Sequence, residues 1–259
     1  MTGDEKAERH VIWHDEAIQR FWTWELRFPE HYFSVRYGKQ IARILRRYIG
    51  VDDRVLDYGC GIGALTDVLC HDLDAQVWAA DFLPQAVAVT SHRNRGHRTF
   101  RGGMSLEQLS VFSGLFDCIV AVEVIEHLTD ASLGAFFRSA SRVLESDGFL
   151  VVTTPNCEKL ERMDVLCPCC NGIFHRWQHL RSVSATDLSR WGSDADLILL
   201  ETFETDLSRR MPRTRAYFSR VMGSRGDLNN RCVRQPHLFG VYVHRGSAAR
   251  RRRRSGWLW

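Results

Sequence analysis

The stretch LCPCCNGIFHRWQHLRS, residues 166–182, gathers Cys167, Cys169, Cys170, His175 and His179. Cys167 and Cys170 form a C-x-x-C pair, which aims two thiolates at one cation. His175 and His179, four residues apart, can supply two imidazoles. Four such ligands close a tetrahedral site that holds a loop in shape without doing chemistry, and mixed sulfur and nitrogen donors favour zinc. The spacing therefore predicts a zinc-knuckle-like insertion with a structural Zn2+ on Cys167, Cys170, His175 and His179. Cys169 falls outside the pattern, and Cys232 and His237 stand in reserve as ligands. The competing reading is a loop of reduced thiols with His175 or His179 turned into a substrate crevice.

A second cluster lies in EVIEHL, which carries Glu123, Glu126 and His127. Residues at i, i+3 and i+4 share one helical face. Two carboxylates and an imidazole there suit acid–base work or a hard divalent cation such as Mg2+ or Mn2+. His127 titrates near neutrality, as a base for a hydroxyl must. The plainer alternative is that all three only cap the next helix and bond loop backbone.

A third motif is VLDYGCGIGALTDVL: a strand, a glycine turn and a helix start. Gly59, Gly61 and Gly63 let the backbone turn sharply and approach a ligand, and the helix that follows offers free N–H groups. Nicotinamide enzymes use a related turn, but with G-x-G-x-x-G spacing. Here the spacing is G-x-G-x-G, and Asp57 stands two residues before the first glycine, where it suits a ligand with positive charge. Asp81 ends the next strand, VWAAD, placed to accept hydrogen bonds from two ribose hydroxyls.

These motifs need a frame. DRVLDYG, AQVWAADF, FDCIVAVEV and GFLVVTTP are short apolar runs, with helical patterns such as SLGAFFRSASRVLES between them. That alternation predicts an α/β fold with a mostly parallel sheet covered on both faces. DLILLETFETD and HLFGVYVHR are the last two strands, and SATDLSRWG is a capped helix. The expected organisation is an N-terminal helical segment (1–49), a main domain (50–245) holding the Cys/His-rich insertion (157–182), and an arginine-rich tail (246–259).

The chain has 259 residues, enough for one large domain with a full core. No apolar run reaches the ~18 residues of a membrane helix, and the charged N-terminus has no apolar signal segment. The eight cysteines then read as reduced thiols in a cytoplasmic protein with no membrane partner. The net charge of +4 comes from the five arginines at 250–254, so the body is close to neutral. Residues 207–236 hold eight arginines against the single acid Asp227. The tail is expected as a solvated, disordered end that could also touch nucleic acid or an acidic surface, and the 207–236 stretch speaks, with the tail, for an RNA substrate.

VLDYGCGIG, AADFLPQAV and FDCIVAVEVIEHL, in this order, resemble the class I S-adenosylmethionine-dependent methyltransferases, strongly over residues 50–156 and by topology elsewhere. The EVIEHL motif is similar to that of the ubiquinone-biosynthesis O-methyltransferases. The resemblance implies a Rossmann-like, seven-stranded sheet ending in an antiparallel hairpin, with S-adenosyl-L-methionine as cofactor. It places Asp57 near the methionine amino group, Gly59 and Gly61 along the methionine, with Gly63 closing the turn, and Asp81 on the ribose. Phe82 and Glu123 complete the expected contacts. Met104 and Ser105, in GGMSLEQL, fall where the family packs the adenine.

The expected function is methyl transfer to an oxygen of a small-molecule or carbohydrate-like acceptor, with His127, Glu123 and Glu126 as catalytic residues. The same E-x-x-E-H occurs in small-RNA 3′-terminal 2′-O-methyltransferases, where a later histidine helps hold a divalent cation. That histidine would here be His179, and an RNA acceptor is the alternative it carries. A non-catalytic binding module on the same fold is the third reading, against which the intact DYGCGIG and Asp81 speak.

Overall fold

The structure, a computed structural model, describes residues 9–209 and 235–247. In chain order its elements are β1 (Arg9–His10), α1 (Asp15–Glu25), α2 (Phe33–Leu45), β2 (Arg54–Tyr58), α3 (Ala64–Asp72), β3 (Gln76–Asp81), α4 (Pro84–Asn94), β4 (Phe100–Ser105), α5 (Leu106–Leu109), β5 (Phe116–Val122), α6 (Asp130–Val143), β6 (Leu144–Pro155), β7 (Asp164–Leu166), β8 (Gly172–His175), α7 (Ala185–Ser193), β9 (Leu197–Thr205) and β10 (His237–His244).

Seven strands form one sheet in the order β4-β3-β2-β5-β6-β10-β9. β10 runs antiparallel to both β6 and β9, while the other pairs are parallel. This is the expected mostly parallel sheet with an antiparallel last hairpin. The central strands are buried on both faces: Val55, Leu56 and Cys118 through Ala121 are fully covered, which is why they read as unbroken apolar runs. One face packs against α2 and α3 through Ile41, Ile44, Leu45, Leu65 and Leu69. The other packs against α6 and α7 through Leu133, Phe136, Phe137 and Leu188. Among the described residues, no helix is long and apolar enough to cross a membrane.

The chain leaves the sheet after β6 and returns at Val183, where Asn156 and Val183 bridge and the Cys157 N–H donates to the Val183 carbonyl at 2.8 Å. Between these points the β7–β8 hairpin projects, and β1 adds to it as a third strand parallel to β8. α7 begins with a reciprocal cap, Ser184 and Asp187 each bonding the other's backbone N–H.

Parallel strands deliver their carboxyl ends to one edge of the sheet, so the loops after β2, β3, β5 and β6 meet there. The tight turn after β2 depends on Gly63, which caps α3 at φ +72°. A Cβ there would stand 2.6 Å from Asn94 Nδ2 and 2.9 Å from Thr90. Gly63→Ala should therefore destabilise the fold by about 1–3 kcal/mol, through left-handed strain and this clash. Urea unfolding should show a lower midpoint, and an unchanged midpoint would contradict the packing described.

Candidate active site

The carboxyl edge of the sheet opens into a cavity of about 1090 Å³. Its floor holds Asp57, Gly59, Gly61, Asp81 and Phe82, its far wall holds Glu123, His127 and His179, and Trp22, Tyr32 and Trp177 cover it. Thus the glycine turn and the EVIEHL motif, sixty residues apart in the chain, line one space.

Gly61 has φ +53°, and a Cβ on it would come within 2.6 Å of the Tyr32 ring. Its N–H donates to Asp81 Oδ2 at 2.9 Å, and the Leu83 N–H donates to Asp81 Oδ1 at 2.9 Å. Asp81 is buried, and its ionised form is held by these amides while each oxygen keeps a further lone pair for a ligand. Burial still leaves its carboxyl above the ordinary value. Asp57 is also buried and accepts from Thr66, from Oγ1 at 2.6 Å and from the backbone N–H, but burial outweighs both and pushes it up to about 7. The Tyr32 hydroxyl is pushed up by burial and by the charge of Asp81, and stays protonated as a donor.

Three residues expected at the cofactor lie off the cavity. Gly63 closes against α4. Met104 is buried in the core, and Ser105 uses its hydroxyl to cap α5, accepting from the Gln108 N–H at 3.1 Å. Leu106 and Ser110, a few residues on, line the cavity instead. The strand ends at Ser105, so the residues free to turn inward come after it.

The acidic cluster forms as EVIEHL leaves β5, in a short 3-10 turn and not on an α-helix. Glu123 sits at φ +53°, an uncommon conformation for a residue with a side chain. Its carboxylate accepts from Thr153 Oγ1 at 2.8 Å, and burial raises it to about 8. Glu126 is buried with no hydrogen-bond partner on either oxygen, and burial and the charge of Glu123 push it well up. His127 Nε2 lies 3.8 Å from Glu126 Oε1, and Nδ1 has no partner. Burial, then the neighbouring His179, hold the His127 imidazole well below its ordinary value, so it is neutral.

The insertion is laced onto this motif. The Leu180 N–H donates to the Glu126 carbonyl at 2.8 Å, and Gln178 Nε2 donates to the His127 carbonyl at 3.0 Å. Trp22 Nε1 of α1 donates to Gln178 Oε1 at 2.7 Å, which joins the N-terminal helices to the same point. His179 is thereby set beside His127, ring centroids 4.8 Å apart. Ligand atoms of Glu126, His127 and His179 lie within 4.8 Å of one another, as do those of Glu158, His175 and His179. Glu158, just past TPNC at the end of β6, was not singled out from sequence. Burial would raise its carboxyl, but the hydrogen bond from His179 and the two imidazoles outweigh that and hold it low.

The four residues expected to share one zinc do not meet. Cys167 and Cys170 sit in the turn of the hairpin, while His175 pairs with Asp164 at its base. The step from Ile173, which faces Leu166 next to that turn, to His175 is two strand residues, roughly 7 Å. His179 lies further on, against Glu158. The amides of Cys169 and Cys170 point at the Cys167 sulfur and favour its thiolate. Of the reserve ligands, His237 stacks its ring edge on Phe33, and Cys232 lies outside the described residues.

Known proteins bear on this geometry. A family model described as a methyltransferase domain matches residues 18–202. The ubiquinone biosynthesis O-methyltransferase of Azorhizobium caulinodans is 35% identical over 125 residues, 47% of this chain and 47% of that protein. The chain spans about half the length of the curated relatives it matches. A chain of the Haloferax volcanii complex containing the Trm112 methyltransferase activator superposes with a TM-score of 0.62 at 16% identity, over 87% of this chain and 98% of that one. Phosphoethanolamine N-methyltransferase 2 of Haemonchus contortus, in complex with S-adenosyl-L-methionine, gives 0.56 at 17% identity, over 89% of this chain and 57% of that one. At these identities the structural likeness is one of fold.

Asp81→Ala removes a charged acceptor from the floor of the cavity and frees two amides. S-adenosylmethionine binding should weaken at least about tenfold, the loss of one charge-assisted hydrogen bond. Calorimetry giving an unchanged affinity would contradict the assignment.

Proposed function

The chain belongs to the methyltransferase-domain family, and on that premise we propose that it moves the methyl group of S-adenosylmethionine onto a hydroxyl of a small-molecule acceptor. One observation carries this: the Asp57–Gly61–Asp81 floor and the Glu123–His127–His179 wall face each other across a single cavity. Asp81 is suited to the ribose and Asp57 to the methionine ammonium. The sulfonium is already activated, so the protein has to align oxygen, methyl and sulfur and take up a proton. His127 and His179 are the bases nearest that proton, and the His127 imidazole is neutral and able to accept it. Trp22, Tyr32 and Trp177 give the acceptor end aromatic walls, which suit a flat acceptor or the apolar face of a sugar.

The wall also fits a divalent cation. Glu126 presents two buried, unpartnered oxygens beside a second carboxylate and two imidazoles. Bound by Glu126, His127 and His179, such an ion would supply Lewis-acid polarisation of the acceptor hydroxyl. This fit favours a second reading, in which the hydroxyl belongs to the terminal ribose of an RNA. The arginine-rich residues 210–234 that would support it lie outside the described residues. A structural zinc on Cys167 and Cys170 would need two ligands other than His175 and His179, with Cys232 the nearest candidate in type.

The test supplies methyl-labelled S-adenosylmethionine to the protein with a panel of phenols and sugars, and separately with RNA oligonucleotides. Label should pass to a small hydroxyl compound. His127→Ala should cut turnover by about 10²-fold or more, the usual worth of general base catalysis, with cofactor affinity retained. Label passing only to RNA, with binding that falls steeply with salt, would overturn the small-molecule assignment.

A further inference from the structure

His175 and His179 do not serve zinc with the cysteines, yet both are almost fully buried and their rings stack, centroids 4.3 Å apart and planes inclined by 19°. Something else holds them. We propose that Glu158 and His175 are positioning residues that lock the His179 ring in one tautomer, with its proton on Nδ1 and its lone pair on Nε2.

The direction of the chain of contacts is set by groups that cannot reverse. After β8 the backbone turns over the His175 ring, through Gln178 at φ +60°. The turn brings the Trp177 N–H and the His179 N–H each to 3.2 Å from His175 Nδ1. A backbone amide only donates, so Nδ1 is the acceptor nitrogen, and in a neutral imidazole the proton then sits on Nε2. That Nε2 faces Glu158 Oε1 at 3.5 Å, long for a hydrogen bond, and has no closer partner. The other oxygen, Glu158 Oε2, lies 2.5 Å from His179 Nδ1. An ionised carboxylate only accepts, so His179 Nδ1 must hold the proton. Two amides thus orient the first imidazole, that ring stacks on the second, and the carboxylate, held by the anchored loop, fixes the proton of the second. Glu158 is itself held in place because Cys157, at φ +50°, bonds back to the Val183 carbonyl.

The consequence is a lone pair aimed where chemistry is expected. The His179 ring lies between Glu158 on one side and the Glu126–His127 pair on the other. With Nδ1 taken by Glu158, Nε2 is the nitrogen left for an acceptor proton or a cation. A carboxylate behind a histidine is the usual device for fixing such a ring, whether the ring acts as base or as ligand. What the lone pair is used for rests on the function proposed above, but the tautomer itself does not.

The tautomers can be read directly. The full chain labelled with ¹⁵N-histidine should show, in long-range ¹H–¹⁵N spectra above neutral pH, His179 with a protonated Nδ1 and a bare Nε2. His175 should show the opposite pattern. Exchange between tautomers at His179, or a proton on its Nε2, would overturn the proposal without need of any variant. Glu158→Ala removes the acceptor that faces His179 Nδ1. In that variant His179 should lose its single-tautomer signature while His175, still held by two amides, keeps its own. A His179 signature unchanged in Glu158→Ala would remove Glu158 from the role. S-adenosylhomocysteine binding by calorimetry should be retained in the variant. Its loss, together with a loss of the His175 pattern, would mean a general collapse and would also count against a local positioning role.

Discussion

Buried carboxylates along one edge of a parallel sheet set the problem that the rest of this structure answers. Asp57, Asp81 and Glu126 are buried where β2, β3 and β5 end, and Glu123 is half-buried beside them. A lone anion in such a place costs several kcal/mol. The compensation is uneven along the edge: Asp81 accepts from the Gly61 and Leu83 amides, Asp57 from the Thr66 hydroxyl and amide, Glu123 from the Thr153 hydroxyl, and neither Glu126 oxygen has a hydrogen-bond partner. Ligands with positive charge complete such a row. A sulfonium cofactor with an ammonium group fits the floor, and an imidazolium or a cation fits the wall.

The remaining elements cover this edge and hold its side chains in place. Trp22 of α1 and Tyr32, which caps α2, roof the cavity, and the insertion contributes Trp177 and His179. Trp22, Gln178 and the His127 carbonyl form one hydrogen-bonded chain from roof to wall. Each such bond is worth only about 1 kcal/mol net, but their geometry fixes the position of the His127–His179 wall. The insertion thus lines the cavity itself through Trp177 and His179 and is more than a brace around its mouth.

Much of this was legible in the sequence. The G-x-G-x-G turn, Asp57 and Asp81 follow from what a β–turn–α junction can do, and the apolar runs dictated the parallel sheet. Met104 and Ser105 miss the cavity because strand length is set by pairing: β4 pairs with β3 as far as Ser105, which keeps Met104 in the core. The zinc set failed for a related reason. Spacing along the chain treats residues 167–179 as one turn, whereas a hairpin carries its turn and its base apart. Glu158 gave no signal because a single acid after an apolar strand looks like any loop residue, and only the folded neck at Asn156 and Val183 brings it to His179.

The central claim is that the cationic end of the cofactor completes a buried carboxylate. It is tested most directly by the protons that binding moves. Without ligand, Asp57 is held up to about 7 by burial, so near neutrality it is partly protonated. A cation beside it favours the ionised form and expels that proton. Calorimetric titration with S-adenosylmethionine just below neutral pH, repeated in buffers of different ionisation enthalpy, should show net proton release that disappears in Asp57→Asn. Binding with no proton exchange in the wild type, or with the same release in the variant, would contradict the account.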